Sequence, residues 1–171
     1  MNKFLIVVAS HDEKKALIPT TLWHRTYISG YGLINAIRTL KYLQAENPYT
    51  FIINVGYAGS KGIDVGTICK VKDCKMYQET EFGTGTLSCR QIKANIPEYN
   101  CYTASDFVTS SNIEGPFLVD MELAVYTLLN YPVISIKVVS DNLEVDNYFE
   151  ALKDNYSEEI GKILTSIEEE L

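Results

Sequence analysis

The feature that most restricts what this chain can fold into is a set of three uninterrupted apolar runs rich in branched residues: "KFLIVVAS" (3–10), "YTFIINV" (49–55) and "YPVISIKVVS" (131–140). A strand that meets water on one face alternates apolar with polar residues. These runs do not, so they predict central strands covered on both faces, as in a parallel sheet. Between the first two, "GLINAIRTLKYLQAEN" repeats Ile34, Ile37, Leu40 and Leu43 at helical spacing and stops at Asn47-Pro48, which predicts a crossover helix. "VGTICKVKDCKMYQ" alternates roughly and suits one or more outer strands. "LVDMELAVYTLLNY" predicts a helix closed by Asn130 before Pro132. From Asp146 onward, Tyr148, Leu152, Tyr156, Ile160, Ile163, Ile167 and Leu171 predict one amphipathic helix. The sum is an α/β chain with a mixed, largely parallel sheet.

The length of 171 residues, 46% of them hydrophobic, suffices for a substantial core and leads us to expect one domain over residues 1–171. Fifteen basic residues against 22 acidic ones, net −7, argue against a nucleic-acid partner, because phosphate binding needs a basic face. No apolar run approaches a membrane span, and "FLIVVA" lacks a long signal-type apolar region and a small-residue cleavage site. The expectation is a soluble, cytoplasmic protein without a membrane partner. Cys69, Cys74, Cys89 and Cys101 form no CxxC pair and have no nearby histidine. They read as free, mostly buried thiols, and no metal or redox site is expected.

In sheets of this type ligands bind beyond the carboxyl ends of the strands. The first run ends at "ASHDE", offering His11, Asp12 and Glu13; the second at "NVGYAGS", where Gly56 and Gly59 suit a tight turn; the third at "VVSDN". Asp141 therefore stands at the end of an apolar strand, with Lys137 embedded four residues earlier. Ser-Asp-Asn is also ordinary chemistry for leaving a strand, and Asp120 and Glu122 in "VDMELA" also suit a solvated helix start, where acids favour the dipole.

"ISGYGLINAI", "FIINVGYAGS", "VDMELAVY" and "KVVSDNLE" occur in the order and spacing of the nucleoside phosphorylase and nucleosidase superfamily. The chain most resembles the methylthioadenosine/S-adenosylhomocysteine nucleosidase branch, over most of its length. The resemblance implies a three-layer α/β/α fold of the nucleoside phosphorylase type. It implies that Asp141 protonates the purine at N7 with Ser140 supporting it, and that Glu13 activates water. It further implies that Glu122 holds the ribose hydroxyls with Met121 against the sugar. "ASDFV" resembles the purine-binding segment, which sets Phe107 beside the base with Val108 offering backbone contacts, and Tyr57, Ala58 and Gly59 belong to the glycine motif at the site. No cofactor and no metal is implied, the partner is a small nucleoside, and a homodimer is expected.

Those acids suit the chemistry. Breaking an N-glycosidic bond develops positive charge on the ribose and negative charge on the departing purine, so a proton donor at the base and carboxylates near the sugar favour the transition state. A partly desolvated strand end helps a carboxyl to hold or relay a proton near neutral pH. Water and phosphate are both candidate nucleophiles. Phosphate needs a cationic site, and Arg25, Arg38 and Arg90 all lie outside the glycine motifs, so hydrolysis is favoured. A non-catalytic nucleoside-binding homologue is the third reading. The segment between Glu13 and Ser29 is short relative to the family, as is Asp73 to Tyr102, which predicts a thinner sheet and a pocket opened along one wall. Tyr57 stands where a small residue is common and is expected to narrow the site. Trp23 reads as a core or interface aromatic and His24 as a surface residue.

Overall fold

The computed structural model describes residues 4–46, 51–77, 85–128 and 132–171. The three apolar runs form β1 (Phe4–Val8), β3 (Phe51–Lys61) and β8 (Val133–Asp141), with β8 buried at every position. β3 pairs in parallel with β1 on one side and with β8 on the other. β2 (Thr26–Ile28) adds a parallel edge beside β1. The remaining strands are β4 (Ile68–Met76), β5 (Leu87–Ser88), β6 (Glu98–Thr103) and β7 (Phe117–Asp120). The mixed eight-stranded sheet runs β2-β1-β3-β7-β6-β4-β5, and β8 closes it by pairing with both β3 and β4.

Helices cover both faces, giving the three layers. α2 (Leu33–Glu46) and α3 (Leu123–Leu128) bury Ala36, Leu40, Leu43 and Tyr126 with Leu5, Ile52, Val133 and Val139 of the strands. α1 (His11–Leu17), α4 (Val145–Ala151) and α5 (Ser157–Glu170) bury Leu17, Ile160, Leu164 and Ile167 with Ile6, Ile53, Ile134 and Ile136. Alternate residues of each strand serve opposite layers, which is why the strands carry no polar stripe. All four cysteines are buried free thiols.

Tertiary contacts revise several local expectations. The second apolar run does not end in a glycine turn: β3 continues through Gly56 and Gly59 to Lys61, because β8 pairs along one edge and β7 takes the other from Gly59 onward. Leu118 to Asp120 are strand rather than helix, held between β6 and β3, and the helix starts only at Leu123. The proposed stop at Asn130 lies outside the described residues, as does Asn47-Pro48. The C-terminal helix is two helices, broken where the Tyr156 N–H donates to the Ala16 carbonyl at 2.9 Å. β4 is enclosed between β8 and β6 along its first half rather than lying at an outer edge. On α2 the small Ala36 lets the helix approach the sheet through Leu33, Ala36, Leu40 and Leu43, which leaves Ile34 at 82% and Ile37 at 42% exposure. The short 14–28 stretch still supplies the rest of α1, a 3-10 turn over Thr20–Arg25 and strand β2.

Candidate active site

Where the parallel strands end, one cleft encloses about 530 Å³ of atom-free space, part of it open to solvent. Its wall includes all ten residues singled out in the sequence: Glu13, Tyr57, Ala58, Gly59, Phe107, Val108, Met121, Glu122, Ser140 and Asp141. They come from five places in the chain: α1, the middle of β3, the loop after β6, the end of β7 and the end of β8.

Glu13 is the member of the "HDE" run that turns inward. Ser10 caps α1 by accepting from the Glu13 N–H at 3.1 Å, and His11 and Asp12 are left exposed. The Glu13 carboxylate accepts from the Ala9 N–H at 2.8 Å and from the Tyr57 N–H at 3.4 Å, and the residue is 3% exposed. Burial, its largest influence, raises this carboxyl above the usual carboxylate range despite those N–H groups and the charge of Lys137. A carboxyl shifted in this direction exchanges a proton more readily near neutral pH.

Asp141 meets the ladder at Gly59, which pairs with Asp141 of β8 on one side and Val119 of β7 on the other. Between Ala58 and Gly59 the register shifts, and Ser140 is the extra residue of β8. The Ser140 hydroxyl donates to Asp141 Oδ2 at 2.6 Å, and the Glu144 N–H donates to Oδ1 at 3.1 Å. The turn then forces Leu143, another wall residue, to a φ of 66°, a conformation that costs a non-glycine residue of order 1 kcal/mol or more. A methyl built on Gly59 would stand 3.0 Å from Asp141 Oδ1, whereas one on Gly56 would stand 3.6 Å from Glu13 Oε2 and 3.7 Å from Lys137 Nζ. Glycine at these two strand positions therefore lets carboxylates lie directly over the backbone.

Beneath the cleft, Lys137 and Asp120 form a fully buried ion pair at 2.7 Å. Asp120 also accepts from Thr103 Oγ1 at 2.6 Å and from the Leu123 N–H at 3.1 Å. Burial, the largest single influence, lowers the Lys137 pKa; the charge of Asp120 and its hydrogen bond, together with Cys101 and Glu122, outweigh it, so the ammonium is held above its ordinary value. Glu122 accepts from the Gly32 N–H at 2.7 Å. Burial first, and then the charge of Asp120, push its carboxyl up to about 8.

Phe107 sits on the rim, half exposed, with its ring edge-on to Tyr148 at 5.9 Å between centroids. Tyr57 turns its ring towards Tyr148 and Tyr156, and its hydroxyl donates to the Ala151 carbonyl at 3.1 Å. Trp23 and His24 are exposed and take no part in the wall. Sequence reasoning missed Tyr31 and Tyr148, both on the wall. The available signal for the first was its place between two glycines in "SGYG"; nothing local distinguishes Tyr148 among 12 tyrosines.

The mixed sheet closed by β8, with carboxylates gathered at its strand ends, is a fold that solved nucleosidase structures share. No protein-family model matches the sequence, and no curated protein matches it either. Solved structures match it nearly end to end. The 5′-methylthioadenosine/S-adenosylhomocysteine nucleosidase of Neisseria meningitidis, in complex with methylthio-immucillin-A, superposes with a TM-score of 0.78 at 17% identity, covering 100% of both chains. The futalosine hydrolase of Helicobacter pylori gives 0.79 at 15% identity, over 99% of this chain and 98% of that one. The S-adenosylhomocysteine nucleosidase of Streptococcus pyogenes, in complex with 5-methylthiotubericidin, gives 0.74 at 16% identity, over 99% and 97%. Among the described residues, no helix is long and apolar enough to cross a membrane.

Proposed function

We propose that this protein is a purine nucleoside N-glycosidase that hydrolyses methylthioadenosine/S-adenosylhomocysteine-type nucleosides to free base and sugar. The observation that carries the proposal is the meeting of Asp141, Glu122 and Glu13 on one pocket wall, in a fold shared with nucleosidases. In this reading Asp141, steadied by Ser140, delivers a proton to N7 as the glycosidic bond lengthens, so the purine departs neutral. Glu122 accepts from the ribose hydroxyls with Met121 against the sugar. Glu13 takes a proton from the water that attacks the anomeric carbon. Phe107 and the Val108 backbone hold the base, and Tyr57, Ala58 and Gly59 form the floor. The chain works as a single domain, without cofactor or metal, in the cytoplasm and as a homodimer.

Water is favoured over phosphate because, among the described residues, no free cation lines the cleft. Arg25 pairs with Glu168, Arg38 bonds to Asn35 and Arg90 lies over Phe51, so no arginine faces the cleft. The cation nearest the carboxylates, Lys137, is already engaged by Asp120. Among the residues that line the cleft no free cation remains to pair with a phosphate dianion. The test is incubation with a panel of purine nucleosides, with and without phosphate, with NMR analysis of the products. Free base and free sugar at a rate independent of phosphate are expected. A ribose 1-phosphate signal that requires phosphate would replace the hydrolase with a phosphorylase. Binding without any cleavage would make the protein a non-catalytic nucleoside binder.

A further inference from the structure

The cleft holds a pair of polar groups to which the proposed reaction gives no work. The Tyr148 hydroxyl donates to the Tyr31 hydroxyl at 3.2 Å, joining α4 to the loop before α2 across 117 residues of sequence. Tyr148 is 8% exposed and fixed by edge contacts with Tyr57 and Phe107, while Tyr31 is 46% exposed. The other tied tyrosines behave differently: Tyr57 and Tyr77 donate to backbone carbonyls, Ala151 and Ser110. Tyr148 instead relies on a hydroxyl that stands in water, and among the described residues no protein acceptor takes the Tyr31 proton. Tyr31 lies between Gly30 and Gly32, with φ of 84° and 82°, so its position is set by a backbone that only glycine adopts easily. The Gly32 N–H in turn is held by Glu122 at 2.7 Å.

Resting on the nucleosidase reading, we propose that Tyr31 and Tyr148 form the subsite for the 5′ substituent and select one that carries hydrogen-bonding groups, as in S-adenosylhomocysteine, over a plain alkylthio group. The base end of the cleft is taken by Asp141, Phe107 and Val108, and the 2′ and 3′ hydroxyls by Glu122. Tyr31 immediately precedes Gly32, whose N–H Glu122 holds, and Tyr148 touches Phe107, so the two phenols span the gap between sugar and base at the solvent side. A 5′ chain leaving there crosses both hydroxyls on its way out. A polar chain replaces the Tyr148–Tyr31 bond with bonds of its own, whereas a methylthio group separates the hydroxyls and leaves the nearly buried one unpaired, which is the condition under which polar sites discriminate most strongly.

The experiment compares kcat/KM for S-adenosylhomocysteine and methylthioadenosine in the wild type, Tyr148→Phe and Tyr31→Phe. Phenylalanine keeps the ring and its edge contacts, so the ratio reports the hydroxyl rather than folding. The wild type is expected to prefer S-adenosylhomocysteine by at least about tenfold, and each variant to bring the ratio within about threefold of unity. A wild-type preference for methylthioadenosine, or a ratio that neither variant moves, overturns the subsite while leaving the nucleosidase reading in place. If neither compound is cleaved, calorimetric affinities for the same pair decide: a preference abolished by Tyr148→Phe keeps the subsite and removes the enzyme, and no binding of either compound removes both.

Discussion

Replacing Lys137 by methionine isolates the ion pair on which the cleft rests. Lys137 and Asp120 are each 1% exposed at the side chain and 2.7 Å apart. Methionine preserves the length of the chain but leaves the Asp120 carboxylate buried without its cation. Breaking a buried pair from one side typically costs about 3–5 kcal/mol. Two donors remain on Asp120, Thr103 Oγ1 at 2.6 Å and the Leu123 N–H at 3.1 Å, which sets the expectation at the lower end. For a chain of this size about 3 kcal/mol corresponds to a fall in Tm of roughly 6–12 °C. Adding Asp120→Asn removes the stranded charge while keeping an oxygen for Thr103, so the double variant should recover more than half of the loss. Urea unfolding followed by circular dichroism measures all three free energies with comparable m-values. A loss below about 1 kcal/mol in Lys137→Met, or a double variant no more stable than the single one, would show that the pair is not the electrostatic unit described here.

Four further outcomes are expected. Asp141→Asn keeps the shape of the side chain but carries no transferable proton, so base release should fall by at least about 100-fold with the circular dichroism spectrum unchanged; retention of a tenth of wild-type turnover removes Asp141 from the acid role. Gly59→Ala should cost far more activity than Gly56→Ala, because its methyl would stand 3.0 Å from Asp141 Oδ1 whereas the other makes ordinary contacts; equal losses in an assay of released base would discredit that distinction. Glu122, raised to about 8 in the folded chain, contributes stability that is fully present below the unfolded carboxyl value and lost as pH rises through about 8. Urea midpoints should therefore decline from pH 5 to 8 and decline less steeply in Glu122→Gln. Ribose hydroxyls donating to Glu122 favour its ionised form, so nucleoside binding near pH 7 should release a proton, detectable by calorimetry in buffers of different ionisation enthalpy and absent in Glu122→Gln.

What the sequence determined alone is what depends on neighbours along the chain. Unbroken branched runs identify β1, β3 and β8 as strands buried on both faces, because no alternating polar stripe is available for water. The strand-end rule brings Glu13 and Asp141 to one rim. Only the tertiary structure decided what depends on distant partners. Gly56 to Lys61 look like a turn until β7 and β8 supply hydrogen bonds along both edges, and Leu118 to Asp120 look helical until β6 and β3 do the same. Residues 152–156 interrupt an apolar period that locally continues, because Ala16 claims the Tyr156 N–H. Lys137 finds Asp120 17 positions away, and Tyr148 finds Tyr31 117 positions away. Side-chain periodicity reports which face is apolar, but a pairing between remote residues depends on how the chain closes in space, and no local pattern encodes that distance.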